Sequence, residues 1–235
     1  MPLTGNAIDN NALTSLANRA GPAVTSAIHK ASLKTGVNFA YLMQKADTES
    51  SFDTDAKAKG SSAKGLYQFI GSTWMQMVKR YGDKYGLGEY ADKIGNNGQV
   101  ASKADKKEIL ALRDDPEISA LMAGEYAAEN KQSLINSGIK SKDIGSTELY
   151  LAHFLGAGAA SEFIKGMKQN PMAPAAQIFP KAADSNHNVF YTKTQHQRSL
   201  GDIYAMFDKK FNNPMTTKTP APQDRTLVAD NSTQS

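Results

Sequence analysis

Apolar positions recur at helical spacing in short blocks, and polar, glycine-containing stretches separate the blocks. Val24, Ala27, Ile28 and Ala31 share one face of a helix predicted over Pro22–Thr35, with Pro22 in its first turn and Gly36 as its stop. Asn38 then suits an N-cap, and Phe39, Leu42, Met43 and Ala46 follow as a stripe. Three places further along that stripe stands Glu49, a carboxylate aimed to the apolar side at the C-terminal end of its helix. Residues 51–64 are rich in Asp, Ser, Lys and Gly and read as a loop. Gly65-Leu66-Tyr67-Gln68-Phe69-Ile70 is compact and mostly apolar. Ser72 or Thr73 then caps a helix that buries Trp74, Met77, Val78 and Tyr81.

The second half continues the pattern. Asn97-Gly98 suggests a small hairpin between Ile94 and Val100. Helix resumes near Lys103 and ends at Asp114-Asp115-Pro116, where Pro116 opens a longer helix to Asn136. Ile118, Leu121 and Met122 form its stripe, and Glu125 falls on it as a second inward carboxylate. A break at 138–145 precedes a helix over Thr147–Leu155, a small-residue run Gly156–Ala160, and helix again over Ser161–Met167. Prolines 171, 174 and 180 punctuate a short helix with Ala176 and Ile178. Residues 184–198 are irregular, and Leu200–Phe211 repeats Ile203, Phe207 and Phe211 every four. The expected architecture is mainly α, or an α-rich α+β fold. Its boundaries are a flexible segment over 1–20, one domain over 21–211 and a disordered tail over 212–235.

Composition narrows the chemistry. The chain has 235 residues and no cysteine, so disulfides, thiolate metal sites and a cysteine nucleophile are excluded. The net charge of +4 is scattered rather than clustered, and no nucleic-acid-binding motif accompanies it. No apolar run of about 18 residues is present, so no membrane span is expected. The first twenty residues show no secretory signal. His29, His153, His187 and His196 make no ligand pair at helical spacing, and no Gly-x-Ser-x-Gly elbow occurs, so neither a metal, a cofactor nor a serine nucleophile is expected.

What remains is Glu49. The end of an apolar stripe desolvates a carboxylate, and the negative end of the helix dipole opposes its charge. Both favour the protonated form that a general acid needs. Asp47, Asp53 and Asp55 are close by and suit loop and cap roles. For Glu125 two roles stay open: a buried brace, or a second acid that binds substrate or activates water.

Glu49-Ser50-Ser51-Phe52, Gly65-Leu66-Tyr67-Gln68 and Ala152-His153-Phe154-Leu155-Gly156-Ala157-Gly158 resemble the soluble lytic transglycosylases of the lysozyme-like superfamily, over roughly Pro22 to Phe211. The family pattern is Glu-Ser-x-Phe, Gly-Leu-Met-Gln and Ala-Tyr-Asn-Ala-Gly. The first two blocks match with Tyr67 in place of Met, and the third departs at His153 and Phe154. The resemblance implies that Glu49 is the single acid/base for cleaving the β-1,4 bond between N-acetylmuramic acid and N-acetylglucosamine, with a 1,6-anhydromuramoyl product. It also implies substrate contacts from Ser50, Tyr67, Gln68 and Tyr191, the last as the late aromatic residue of the groove, with Glu125 at the same site. Each has a plainer alternative: a helix-end hydroxyl for Ser50, core packing for Tyr67, and a loop-bracing amide for Gln68. Two other functions stay open, a muramidase that uses water on the same bond and a non-catalytic glycan-binding or scaffold module. The expected partner is the glycan strand of peptidoglycan, which places the protein in the periplasm or envelope, or outside the cell. A secretion, flagellar or phage machinery is the candidate carrier.

Overall fold

The computed structural model describes residues 10–212. Expectations for the first nine residues and for the tail from 213 onward lie outside the described residues. Within the described chain the architecture is mainly α, as the sequence predicts, and it forms two compact units. Among the described residues, one covers Leu13–Ala128 and the other takes residues 10–12 and 129–212.

The first unit takes α1 (Asn10–Thr35) from Leu13 onward, and this helix breaks at Gly21 (φ 74°, ψ 167°) just before Pro22. The sequence places the helix start at Pro22, and that is where its second half begins. The first half, expected to be loose to residue 20, is helical instead. Ala12 and Leu16, one turn apart, are both buried, a stripe too short to stand out among polar neighbours. Next come α2 (Phe39–Ser50), capped by the Asn38 side chain, and α3 (Gly71–Tyr81). Then α4 (Gly88–Asp92) and α5 (Lys103–Ala111) lead to α6 (Pro116–Asn136), which belongs to this unit as far as Ala128. Inside this unit Gly124 of α6 lies against Thr35, where an added Cβ would come within 2.6 Å of the hydroxyl.

The hairpin expected at Asn97-Gly98 is absent. That stretch is a turn closed by Gly95 N–H on Gln99 O and Gly98 N–H on Gly95 O, with no flanking strand. The extended pairing lies earlier, where isolated antiparallel bridges join Lys57 to Lys64 and Lys64 to Phe69. A two-residue turn signal is local, whereas those bridges depend on contacts with distant residues, described below.

The second unit contains α7 (Ser146–Leu155), α8 (Ala157–Gln169), α9 (Ala175–Ile178), α10 (Pro180–Ser185), α11 (His187–Phe190) and α12 (Leu200–Asn212). Gly156, at φ 79° and ψ 151°, separates α7 from α8 in a conformation that favours glycine. Helices α7, α8 and α12 pack on one another. Their core is aromatic: Tyr150 meets Phe211 at 4.4 Å and Phe207 at 5.0 Å between ring centroids, and Phe154 meets Phe207 at 5.3 Å. The Tyr204 hydroxyl donates to Glu148 at 2.6 Å and Thr147 to Asp208 at 3.0 Å, so polar bonds tie α7 to α12 as well. Burial and the Glu148 carboxylate push the Tyr204 phenol well above its usual value.

Candidate active site

Helix α2 is buried on more than one side. Tyr41, Leu42, Met43, Gln44, Lys45, Ala46 and Thr48 are all buried, and Phe39 is half-exposed. Glu49 sits one residue before the helix end. It is half-buried, and its Oε1 is shielded from solvent. The chain then turns sharply. Ser51 caps α2 in the left-handed region (φ 54°) with its N–H on Asp47 O, and Phe52 follows, also left-handed at φ 69°.

The segment Gly65–Phe69 is lashed to this helix by three contacts. The Ser50 hydroxyl donates to Leu66 O at 2.9 Å, and the Tyr67 hydroxyl donates to Leu42 O at 3.1 Å. The third is the Lys45 ammonium, itself only 1% exposed, which lies 5.5 Å from the Tyr67 ring centroid and 5.8 Å from that of Phe69. Gln68 is left-handed at φ 48° and its Nε2 donates to Ala56 O at 2.9 Å and Gly65 O at 2.8 Å. Of the four non-glycine residues with positive φ among the described residues, three are Ser51, Phe52 and Gln68. Such backbone costs on the order of 1–3 kcal/mol per residue and gathers where surrounding contacts hold a functional shape.

A second layer fixes that segment. Arg113, 6% exposed in a 3-10 turn over Leu112–Asp114, donates from Nη1 to Ser62 O at 2.6 Å and Phe69 O at 2.9 Å, and from Nε to Leu110 O at 2.9 Å. Burial pulls its guanidinium below the usual value. Lys64 pairs with Asp114 beside it. Gly65 (φ 80°) lies so close to this turn that a Cβ would meet the Arg113 carbonyl oxygen at 2.1 Å. The indole N–H of Trp74 donates to Ile109 O at 2.7 Å, holding α3 to α5 under the same segment.

The nominated residues therefore take different places. Glu49 and Ser50 end α2, and the Ser50 hydroxyl joins that end to the 65–69 segment that contains Gln68. Tyr67 lies beneath it, 1% exposed, with burial pushing its phenol up. That position fits its core alternative, since a ring without exposed surface cannot stack on a sugar. Ser50 and the Gln68 nitrogen are occupied in bracing backbone. Glu125 is 5% exposed and holds the Lys84 ammonium at 2.6 Å and the Tyr85 hydroxyl. The Glu125 bond raises the Lys84 ammonium, and burial with Glu125 pushes the Tyr85 phenol up to about 12. Tyr191 belongs to the second unit, where its ring stacks on His187 at 4.3 Å.

Three contributors were not singled out from the sequence. Arg19 pairs with Asp47 at 2.6 Å and lies over the Phe52 ring at 5.6 Å, steadying the end of α2 from the stretch expected to be loose. Lys45 stands at i+3 from Leu42 and i−4 from Glu49, so the stripe itself contained its signal. Arg113 had none, because a 3-10 turn before a proline carries no periodicity.

A mainly helical unit that carries a half-buried glutamate at a helix end, tied through Ser50 to a strained returning segment, has the make-up of a lysozyme-like protein. Residues 26–142 match the family model described as the transglycosylase SLT domain. The chain carries a domain of this family, within the lysozyme-like superfamily, whose lytic transglycosylases act on peptidoglycan in the cell envelope. The match includes Glu49–Phe52 and Gly65–Gln68 and ends before Ala152–Gly158 and Tyr191. No helix among the described residues is long and apolar enough to cross a membrane.

Proposed function

We propose that the protein is a peptidoglycan lytic transglycosylase in which Glu49 acts alone as general acid and then general base. The observation that carries this reading is the setting of Glu49: Oε1 shielded from solvent, at a helix end, opening the first of two family segments that the Ser50–Leu66 bond joins. Desolvation favours the neutral acid, which donates its proton to the glycosidic oxygen as the bond to muramic acid C1 breaks. The leaving N-acetylglucosamine departs with that proton on its 4-oxygen. The substrate's own acetamido group stabilises the oxocarbenium-like centre. Glu49, now a carboxylate, takes the proton of the 6-hydroxyl as that oxygen bonds to C1. The acid is regenerated, the product is a 1,6-anhydro ring, and no water is consumed.

The nearby carboxylates support a one-acid scheme because each has another task. Asp47 holds Arg19, Asp53 accepts the Asp55 N–H at 2.9 Å, and Glu125 holds Lys84 and Tyr85. Gln68 and Ser50 are positioning residues that keep the two segments at fixed spacing. The substrate reaches the protein in the periplasm or outside the cell, and a secretion, flagellar or phage machinery remains the proposed carrier.

The test is digestion of purified sacculi by wild type and Glu49→Gln, with circular dichroism as a check on folding. General acid–base catalysis contributes about 10²–10⁴-fold, so the variant is expected to lose at least about a hundredfold in release rate. Wild-type rates in a folded Glu49→Gln protein overturn the reading. A wild type that binds sacculi without releasing fragments turns it toward a glycan-binding module.

A further inference from the structure

Beside the Gly65–Phe69 segment, the first unit carries a groove of about 420 Å³, and five of its seven lining residues are cationic. Lys103, Lys106, Lys107 and Leu110 stand at i, i+3, i+4 and i+7 along one face of α5. Lys64 and Arg113 close the groove, and Leu110 with Ala111 supplies its apolar lining. No acidic residue lines it. Asp105 of the same helix points its pairing elsewhere, to Lys93 at 2.7 Å.

Protein stability does not account for this arrangement. Lys103 opens α5, where the helix dipole disfavours a cation, and like charges at i, i+3 and i, i+4 repel. Lys103, Lys106 and Lys107 are exposed and make no ion pair among the described residues. Arg113 gives the second, independent observation. Its Nε and Nη1 are spent on three backbone carbonyls, while Nη2 makes no hydrogen bond among the described residues of a side chain that is 6% exposed and lines the groove. A guanidinium held through Nε and Nη1 keeps Nη2 as a charge-assisted donor for one carboxylate oxygen.

We propose that this groove binds the carboxylates of the peptide stems that peptidoglycan carries on its muramic acid residues. The inference rests on the function proposed above, which brings that polymer to the Gly65–Phe69 segment; Lys64 directly precedes this segment and Arg113 holds both its flanks. Stem peptides alternate alanine methyl groups with free carboxylates, matching an apolar lining among cations. The groove thereby gives the enzyme a preference for strands that still bear peptides.

The experiment compares wild type with the triple variant Lys103→Glu, Lys106→Glu, Lys107→Glu, on peptide-bearing strands and on strands stripped of peptides by an amidase. A free stem tetrapeptide and a glycerol-phosphate polymer are titrated in parallel. Three partly exposed charge contacts reversed together are expected to lower kcat/KM on peptide-bearing strands about tenfold, with the loss confined to those strands. The tetrapeptide is expected to bind wild type and not the variant. Equal loss on both strands, no loss on either, or binding of the phosphate polymer without the tetrapeptide overturns the proposal. If wild type cleaves neither strand, the proposed function fails, and the tetrapeptide titration still decides the groove by itself.

Discussion

Two irregular segments of this chain are each held by one arginine, and they are held to different degrees. In the first unit Arg113 gathers the carbonyls of Ser62, Phe69 and Leu110. In the second, Arg198 gathers those of Asn188, Val189 and Tyr191 through Nη1, at 2.8, 3.0 and 2.5 Å. Both segments contain a left-handed glutamine, Gln68 and Gln195. Arg113 is buried and Arg198 only half-buried. The 62–69 segment is also tied to α2 by Ser50, Tyr67 and Lys45, whereas Gln195 lies in an exposed turn bonded to Thr192. The same device closes a surface turn in one unit and fixes a strained, desolvated wall in the other. The redundancy lies beside Glu49, where a small misplacement of a proton donor is costly to the rate.

The comparison breaks most directly at Gly65. Alanine there combines an unfavourable positive φ with a Cβ 2.1 Å from a backbone oxygen, so Gly65→Ala is expected to lose about 4 kcal/mol of stability in urea unfolding and to abolish digestion. An unchanged midpoint contradicts the close approach. Next, Arg113→Met keeps side-chain volume but removes three hydrogen bonds to backbone carbonyls and leaves the buried Phe69 carbonyl with the Lys64 N–H alone. It is expected to cost about 3 kcal/mol and to lower activity beyond what the stability loss explains. Arg198→Met exposes its carbonyls to water, so about 1 kcal/mol and no change in kcat is expected, read by thermal melting and turnover. Similar losses for the two arginines erase the contrast.

The smallest effect is at the start of α12. Ser199 and Asp202 form a reciprocal cap: Asp202 N–H donates to the Ser199 hydroxyl at 3.1 Å, and Ser199 N–H donates to the Asp202 carboxylate at 3.0 Å. Those bonds hold the Asp202 carboxyl below its usual value. A depressed folded value means that the stabilisation is present above the ordinary carboxylate range and is lost as pH falls through the folded value. Asp202→Asn is expected to cost about 0.5 kcal/mol at neutral pH, because the group is exposed and screened, with the gap to wild type closing in acid. A gap that persists at low pH means the cap is not electrostatic.

Helix positions were readable because their signals are local. Pro22, Asn38, Gly36 and Pro116 mark boundaries that the fold keeps, and the stripe through Leu42 and Ala46 leads to Glu49. What escaped depends on distant partners. Lys45 and Gln44 are buried among apolar neighbours although their residue types favour the surface, so α2 reads as amphipathic when it is mostly enclosed. Ser51, Phe52 and Gln68 adopt positive φ without being glycine, which no local propensity predicts. The bridges at 57–69 are braced by Arg113, some forty residues later in the chain, which donates to the Phe69 carbonyl of one bridge and to the Ser62 carbonyl between them. Glu125 fell on an apolar stripe and is buried as expected, but only the structure shows its partners, Lys84 and Tyr85.

The central claim is that one carboxylate, Glu49, cleaves the strand without water. Mass spectrometry of muropeptides released from sacculi by wild type and by Glu49→Gln tests it most directly. Wild type is expected to release 1,6-anhydro ends, each one water lighter than a reducing end, and the variant almost none. Reducing ends from wild type, or anhydro products from Glu49→Gln at the wild-type rate, would contradict it.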